Sequence, residues 1–262
     1  MFRSRLATER RNMRRMTPGW AIAVIAVLYT PGFGAAQAES AAAVTLPATI
    51  PIFPLQDVVL FPSSTQPLHI FEPRYRAMVA DALEGDSIIG MVLLQPGNEA
   101  EYEGRPPVYA IGCAGVIIAA ELLPDGRYNI ILDGFVKFRI LSEDASRIYR
   151  LAEVEALPEA VQLSDLPLLA QRRQQLEEAL LSVSPGMQLP PSDLSDEEVV
   201  NGLSLLLPLE PADRQELLEM DGPVERALRL IRHLRMQRVA ALLSVGCATC
   251  SGDVPRRSIN AN

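Results

Sequence analysis

Lysine is almost absent from this 262-residue chain: Lys137 is the only one, and arginine supplies the rest of its 24 basic residues. Histidine occurs twice, as His69 and His233, and cysteine three times, as Cys113, Cys247 and Cys250. Each scarcity excludes a class of chemistry. Serine–lysine proteolysis needs a nucleophile beside a lysine of depressed pKa, and Lys137 lies in a strand-like run near Phe135 and Phe138 with no recognisable serine motif. ATP hydrolysis of the P-loop kind needs Gly-x4-Gly-Lys followed by Ser or Thr, and that motif does not occur. His69, between apolar neighbours, is available as a ligand or a base. His233, beside Arg232 and Arg235, is expected in solvent. With no spaced acidic partners, no metal site is expected. The doublets Glu177-Glu178 and Glu197-Glu198 fall on helical patterns and are expected to cap or solvate them. No catalytic residue, cofactor or metal ligand is therefore assigned, and the chain is not expected to be an enzyme.

Three cysteines cannot build a disulfide framework. Cys113 sits in an apolar run and reads as a small buried hydrophobe. Cys247 and Cys250 form a Cys-x-x-Cys near the end, a candidate local disulfide or a redox pair. A thiol-redox motif is favoured where it opens a helix after a strand, whereas this one follows a helix end.

What is abundant is apolar and acidic. Apolar residues make up 48% of the chain and charged ones 21%, the balance of a folded protein and not of a disordered one. Residues 1–38 carry six arginines (Arg3, Arg5, Arg10, Arg11, Arg14 and Arg15) against one acid, Glu9. Removing that +5 excess from the whole-chain −8 leaves −13 on the remainder. A body so acidic repels phosphate backbones, so nucleic acid is not expected as a partner.

The same 38 residues have the three parts of an export signal: a basic start, an apolar stretch from Trp20 to Tyr29, and Ala36-Gln37-Ala38 before Glu39. The apolar part is well short of the roughly 20 residues that span a bilayer, and Pro31, just beyond it, disfavours a longer continuous helix. The expectation is a signal peptide at 1–38, export to the periplasm or cell envelope, and no stable membrane insertion after cleavage. A cytoplasmic protein follows instead if the start is misassigned; Met13 and Met16 are available as alternative starts, and both leave the apolar stretch in place.

Residues 39–49 read as a linker. Ile50 to Leu55, with Pro51 and Pro54, reads as an edge strand or an extended lead-in. Val58–Phe61 and Leu68–Phe71 read as short strands. Pro73 suits the first position of a helix to about Glu84, with Tyr75, Met78, Val79, Ala82 and Leu83 on one face. Ile88–Leu94, Val108–Leu123, Tyr128–Leu141 and Tyr149–Ala156 read as strands. Asp125-Gly126 marks a hairpin, and Gly134 marks a bulge. Core is the default for Phe61, Phe71, Val92, Leu94, Phe135 and Phe138. After Pro158 the pattern turns helical: Pro167–Val183, a Ser195-to-Glu198 capping box opening a helix to Leu206, Pro211–Glu219, and a long helix from Pro223 that Gly246 terminates. The domains expected are 50–157, an α+β, mixed and partly closed β barrel, and 158–246, a helical bundle, with a flexible tail at 247–262.

Ile50-Pro51-Ile52-Phe53-Pro54-Leu55-Gln56-Asp57-Val58-Val59-Leu60-Phe61-Pro62 resembles the opening of the amino-terminal domain of Lon proteases. So do Gln66 to Glu72 with Pro73-Arg74-Tyr75, Tyr109 to Gly115, the Pro124-to-Arg127 turn, Leu132 to Ile140, and Leu206-Leu207-Pro208-Leu209 with Arg214 to Glu219. The likeness covers about residues 50–244. It implies a PUA-like mixed β pseudo-barrel followed by a carboxyl-terminal helical bundle, in a stand-alone member lacking ATPase and protease domains. The function it implies is recognition of unfolded or damaged polypeptide, as an adaptor or holdase related to proteolysis. The alternatives are a scaffold for one dedicated protein partner, or a thiol-redox protein using Cys247 and Cys250. The peptide-binding residues are not identified by the sequence, because core and exposed apolar positions look alike.

Overall fold

The computed structural model of the chain describes residues 45–97, 104–159 and 161–248, with side chains through Ala240. The expected signal peptide at 1–38, Cys250 and most of the expected tail lie outside the described residues. Six strands and five helices follow in the order β1 (Thr49–Leu55), β2 (Thr65–Ile70), α1 (Pro73–Glu84), β3 (Ile88–Leu93), β4 (Ile111–Leu122), β5 (Tyr128–Asp144), β6 (Arg150–Leu157), α2 (Leu166–Val183), α3 (Asp196–Leu206), α4 (Pro211–Glu219) and α5 (Pro223–Ala248). No described helix is long and apolar enough to cross a membrane.

The strands form one mixed sheet in the order β2-β5-β4-β3-β1-β6, and β5 also pairs with β6. The long β5 makes this possible by changing partners. Tyr128–Asp133 pairs with β2, while Lys137–Asp144 pairs with β6. The switch falls at a bulge, where Gly115 opposes Gly134 and Ala114 opposes Val136, leaving Phe135 as the extra residue. Bulges raise local twist and bend a strand, so the sheet curls into a pseudo-barrel. It is not a closed barrel, because β2 stays as a free edge. A Cβ on Gly134 would lie 2.2 Å from the Phe61 carbonyl oxygen, so this corner requires glycine.

β1 corrects one expectation. It is not an edge strand but lies between β3 and β6. Its two prolines are tolerated because the two pairings barely overlap: Thr49–Ile52 faces β6 and Ile52–Leu55 faces β3. Pro51 and Pro54 each keep one unpaired flank, the condition a ring without an N–H requires. The fold also begins ahead of Ile50, since the Val154 N–H donates to the Ala48 carbonyl and Leu46 packs on the core.

Val58–Phe61 forms no strand, although Val59, Leu60 and Phe61 are buried as expected. The Ser64 hydroxyl accepts the Phe61 N–H and donates to the Phe61 carbonyl, so local bonds replace a ladder. Phe71 lies just past β2 and is 61% exposed, outside the core assigned to it; Phe135 is half-buried, while Phe61, Val92, Leu94 and Phe138 are buried. The Asp125-Gly126 hairpin is present with Gly126 at φ +81°.

The helices pack against the barrel in one continuous core. Tyr75, Met78, Val79 and Ala82 of α1 join Leu169 and Leu176 of α2, Val200 of α3 and Leu230 of α5 in that core. α3 starts with the expected capping box, Ser195 and Glu198 exchanging hydrogen bonds. α5 runs to Ala248, two residues beyond the expected stop at Gly246.

Candidate functional site

Three places gather polar or ionisable side chains, and their burial separates their roles. The first lies where the barrel meets the helices. Lys137 Nζ on β5 is 2.7 Å from Glu159 Oε1 and donates to the Met220 carbonyl at 2.6 Å. Arg226 of α5, fully buried, holds Glu159 through both carboxylate oxygens, donates to the Leu217 carbonyl and to Asn201 Oδ1, and lies over the Phe61 ring. Cys113 is close enough to feel all three charges, and burial, reinforced by Glu159, pushes its thiol up. A thiol so shielded is a poor nucleophile. The Lys137, Glu159 and Arg226 side chains are all nearly fully buried, and their geometry is that of a structural clamp.

The second is a cleft lined by Arg74, Arg105, Arg147 and Arg150 beside Tyr75 and Tyr149. Its cations are engaged internally. Arg105 donates to the Asp144 and Arg147 carbonyls, Arg147 pairs with Asp81, and Arg150 bonds Glu143 and the Pro106 carbonyl. Tyr149 donates to Asp81, and burial together with that bond pushes its hydroxyl up to about 12. These contacts brace the β5–β6 turn against α1.

The third is open. On the flank formed by β2, β5 and β4, a shallow trough of about 500 Å³ runs across the outward faces of the strands. Its floor follows from register. Thr65 and Asp133 form one cross-strand row, Pro67, Ile131 and Ala119 the next, and His69, Asn129 and Glu121 the third. Alternation places these residues on one face, because Ile130 and Leu132 between them are buried in the core. The middle row is apolar, and Ile118, the extra residue of a second irregularity between Ile117 and Ala119, is 57% exposed beside it. The third row is a hydrogen-bonded chain: Glu121 accepts from Asn129 Nδ2, Asn129 Oδ1 meets His69 Nδ1, and His69 Nε2 meets Arg127, whose charge is matched by Asp125. The exposed Phe71 ring stacks on His69 and extends the apolar surface.

The open edge of β2 is blunted. Pro67 has no N–H, and its carbonyl accepts from Gln66 Nε2, so the middle of the edge offers little to an added strand. Side-chain packing on the trough face, not strand addition along the whole edge, is what this flank offers a ligand.

Of the residues singled out from sequence, His69 lies in the trough wall, held by Asn129 and Arg127. His233 is half-buried on α5 against Gln237. Cys247 falls in the last turn of α5 and not at a helix start. The candidate disulfide to Cys250 lies outside the described residues. The trough residues Ile118, Ala119 and Ile131 were not identified from sequence. The one available signal was Ile131 between Asn129 and Asp133, an apolar residue on the polar face of its strand.

Comparison with known proteins gives this geometry a family. The family model of the ATP-dependent protease La (LON) substrate-binding domain matches residues 49–236. The Lon protease of Cytophaga hutchinsonii is 26% identical over 194 residues, covering 71% of this chain and 24% of the relative. Lon protease 2 of Syntrophobacter fumaroxidans is 30% identical over 180 residues, covering 67% and 23% respectively. The chain thus spans about a quarter of the length of the curated relatives it matches. Among solved structures, the amino-terminal domain of a Mycobacterium avium complex Lon protease is 18% identical with a TM-score of 0.54, covering 71% of this chain and 98% of that one, and it has the same fold. A Lon N-terminal domain protein from Xanthomonas campestris is 26% identical with a TM-score of 0.49, covering 70% and 97%. The matched segment contains every strand and all but the end of the last helix, and the chain belongs to the family of LON substrate-binding domains.

Proposed function

We propose that this protein is a non-catalytic polypeptide-binding module that takes up unfolded or damaged chains through the β2–β5–β4 trough, as an adaptor or holdase. The observation that carries the reading is the exposure of Ile131 in the depression, with the exposed Phe71 stacked on the wall residue His69, on a family member whose domain class is defined by substrate binding. Unfolded chains differ from folded ones chiefly in offering extended apolar segments, and an apolar row between polar rows is a surface that such a segment can cover. The signal-like residues 1–38 support a place for this activity in the cell envelope.

The test is fluorescence anisotropy of the chain with a permanently unfolded protein and with its folded counterpart. Binding to the unfolded form, weakened at least about tenfold by Ile131→Arg in the middle of the trough, is the expected result. Equal binding to both forms, or none to either, overturns the reading and favours a scaffold for one dedicated partner. For location, amino-terminal sequencing of the envelope fraction should read from Glu39.

A further inference from the structure

Two carboxylates bracket the apolar row of the trough, one in each flanking row. Asp133 stands on β5 opposite Thr65, and Glu121 stands on β4 opposite Asn129. Neither is in an ion pair among the described residues. Glu121 accepts one neutral bond, from the Asn129 amide. Burial, and then the charge of Glu198 on α3, holds the Asp133 carboxyl above its ordinary value, so a cation brought to it offsets both. Arg127, the cation that reaches the third row through His69, is matched by Asp125.

From this we infer that the trough selects extended segments in which an apolar side chain is flanked, two residues away on each side, by lysine or arginine. The inference rests on the proposed polypeptide binding and names its client class. The spacing comes from the sheet itself. Successive rows are two residues apart, about 6.8 Å, so the acidic rows lie about 13 Å apart on either side of the Ile131 row. An extended peptide lying along the strands has the same two-residue repeat and turns every second side chain toward the sheet. A basic–x–apolar–x–basic segment therefore sets its apolar side chain on Ile131, Ala119 and Pro67, and its cations over Asp133 and Glu121. Each cation then relieves an unpaired carboxylate, whereas acidic flanks add like charge to a surface that already carries it.

Three labelled peptides, alike except at the flanks, test this by anisotropy with the full chain: Arg-x-Leu-x-Arg, Glu-x-Leu-x-Glu, and Arg-Leu-Arg with the cations moved next to the leucine. The first is expected to bind about tenfold tighter than the second and several-fold tighter than the third. In the Glu121→Gln/Asp133→Asn double variant, shown to be folded by circular dichroism, the three should converge. Preference for the two-residue spacing that vanishes in the double variant supports the inference. A preference for any basic peptide that survives the double variant overturns it, because the acidic body as a whole would then be the attractant. Failure of the inference leaves binding of unfolded protein intact, whereas loss of binding to unfolded protein as well defeats the proposed function itself.

Discussion

Lys137, the only lysine in the chain, forms a buried ion pair with Glu159 at 2.7 Å, and Arg226 grips the same carboxylate from the opposite element. β5, the segment after β6 and α5 are thereby tied at one point, with two cations sharing one anion. The sharing makes the three residues unequal. Removing the lysine leaves a two-oxygen Arg226–Glu159 pair, whereas removing the carboxylate leaves two buried cations facing each other. Glu159→Gln is expected to cost about 3–5 kcal/mol, the range for an uncompensated buried charge. Lys137→Met should cost less, about 1–3 kcal/mol, chiefly from the abandoned Met220 carbonyl. Urea denaturation of the two variants decides the matter, and equal costs would contradict the shared-anion arrangement.

Two glycines should respond to alanine in opposite senses. At Gly134 the new methyl would meet the Phe61 carbonyl at 2.2 Å and the Leu60 side chain at 3.1 Å, so the bulge must open. The expected loss is about 1–3 kcal/mol. Gly202 lies inside α3 and a Cβ there meets nothing within 4 Å. Gly202→Ala should stabilise the chain by about 0.5–1 kcal/mol, the helix-propensity difference alone. Thermal melts read both, and a stabilised Gly134→Ala would mean that the barrel corner does not need the close approach described.

Cys113 should behave as a buried hydrophobe and not as a thiol reagent. In a Cys247→Ser/Cys250→Ser background it is the sole thiol, fully buried and held well above its ordinary range by desolvation and Glu159. A thiol-specific chromogenic reagent should leave it unmodified in the native protein and titrate one thiol on adding denaturant. Rapid native modification would show that the clamp opens far more readily than its packing implies.

Much of this architecture was readable before the structure because its signals are local. Pro73, Pro211 and Pro223 each open a helix, Ser195 caps one with Glu198, and Asp125-Gly126 turns a hairpin. What was not readable depends on distant partners. Val58–Phe61 has the composition of a buried strand, yet Ser64 takes both the N–H and the carbonyl of Phe61, and the segment sits under the Gly134 bulge. The prolines of β1 point to an edge strand, and only the split pairing with β6 and β3 explains a place inside the sheet. Lys137 stood out in an apolar strand, but its partners Glu159 and Met220 lie 22 and 83 residues along the chain, beyond the reach of spacing arguments. The trough stayed hidden for a different reason: Ile118 and Phe71 are apolar residues left outside the core, and composition cannot tell an exposed isoleucine from a buried one.

The neighbours Glu197 and Glu198 at the start of α3 should give opposite pH profiles. Burial, and then the charge of Glu159, holds the Glu197 carboxyl above its ordinary value, with Arg226 offsetting part of the effect. Its contribution to stability is therefore present below the unfolded pKa and lost as pH rises through the higher folded value. Glu198 is the reverse: hydrogen bonds from Ser195 hold it below its ordinary value. Its contribution is present above the unfolded pKa and lost as pH falls through the lower folded one. Measured by urea unfolding, Glu197→Gln should exceed the parent in stability at about pH 7.5 and approach it near pH 4. Glu198→Gln should fall below the parent at about pH 7.5, with the gap closing in acid. The two substitutions differ by one position and not in chemistry, so parallel profiles would show that neither the burial of Glu197 nor the cap of Glu198 controls its titration.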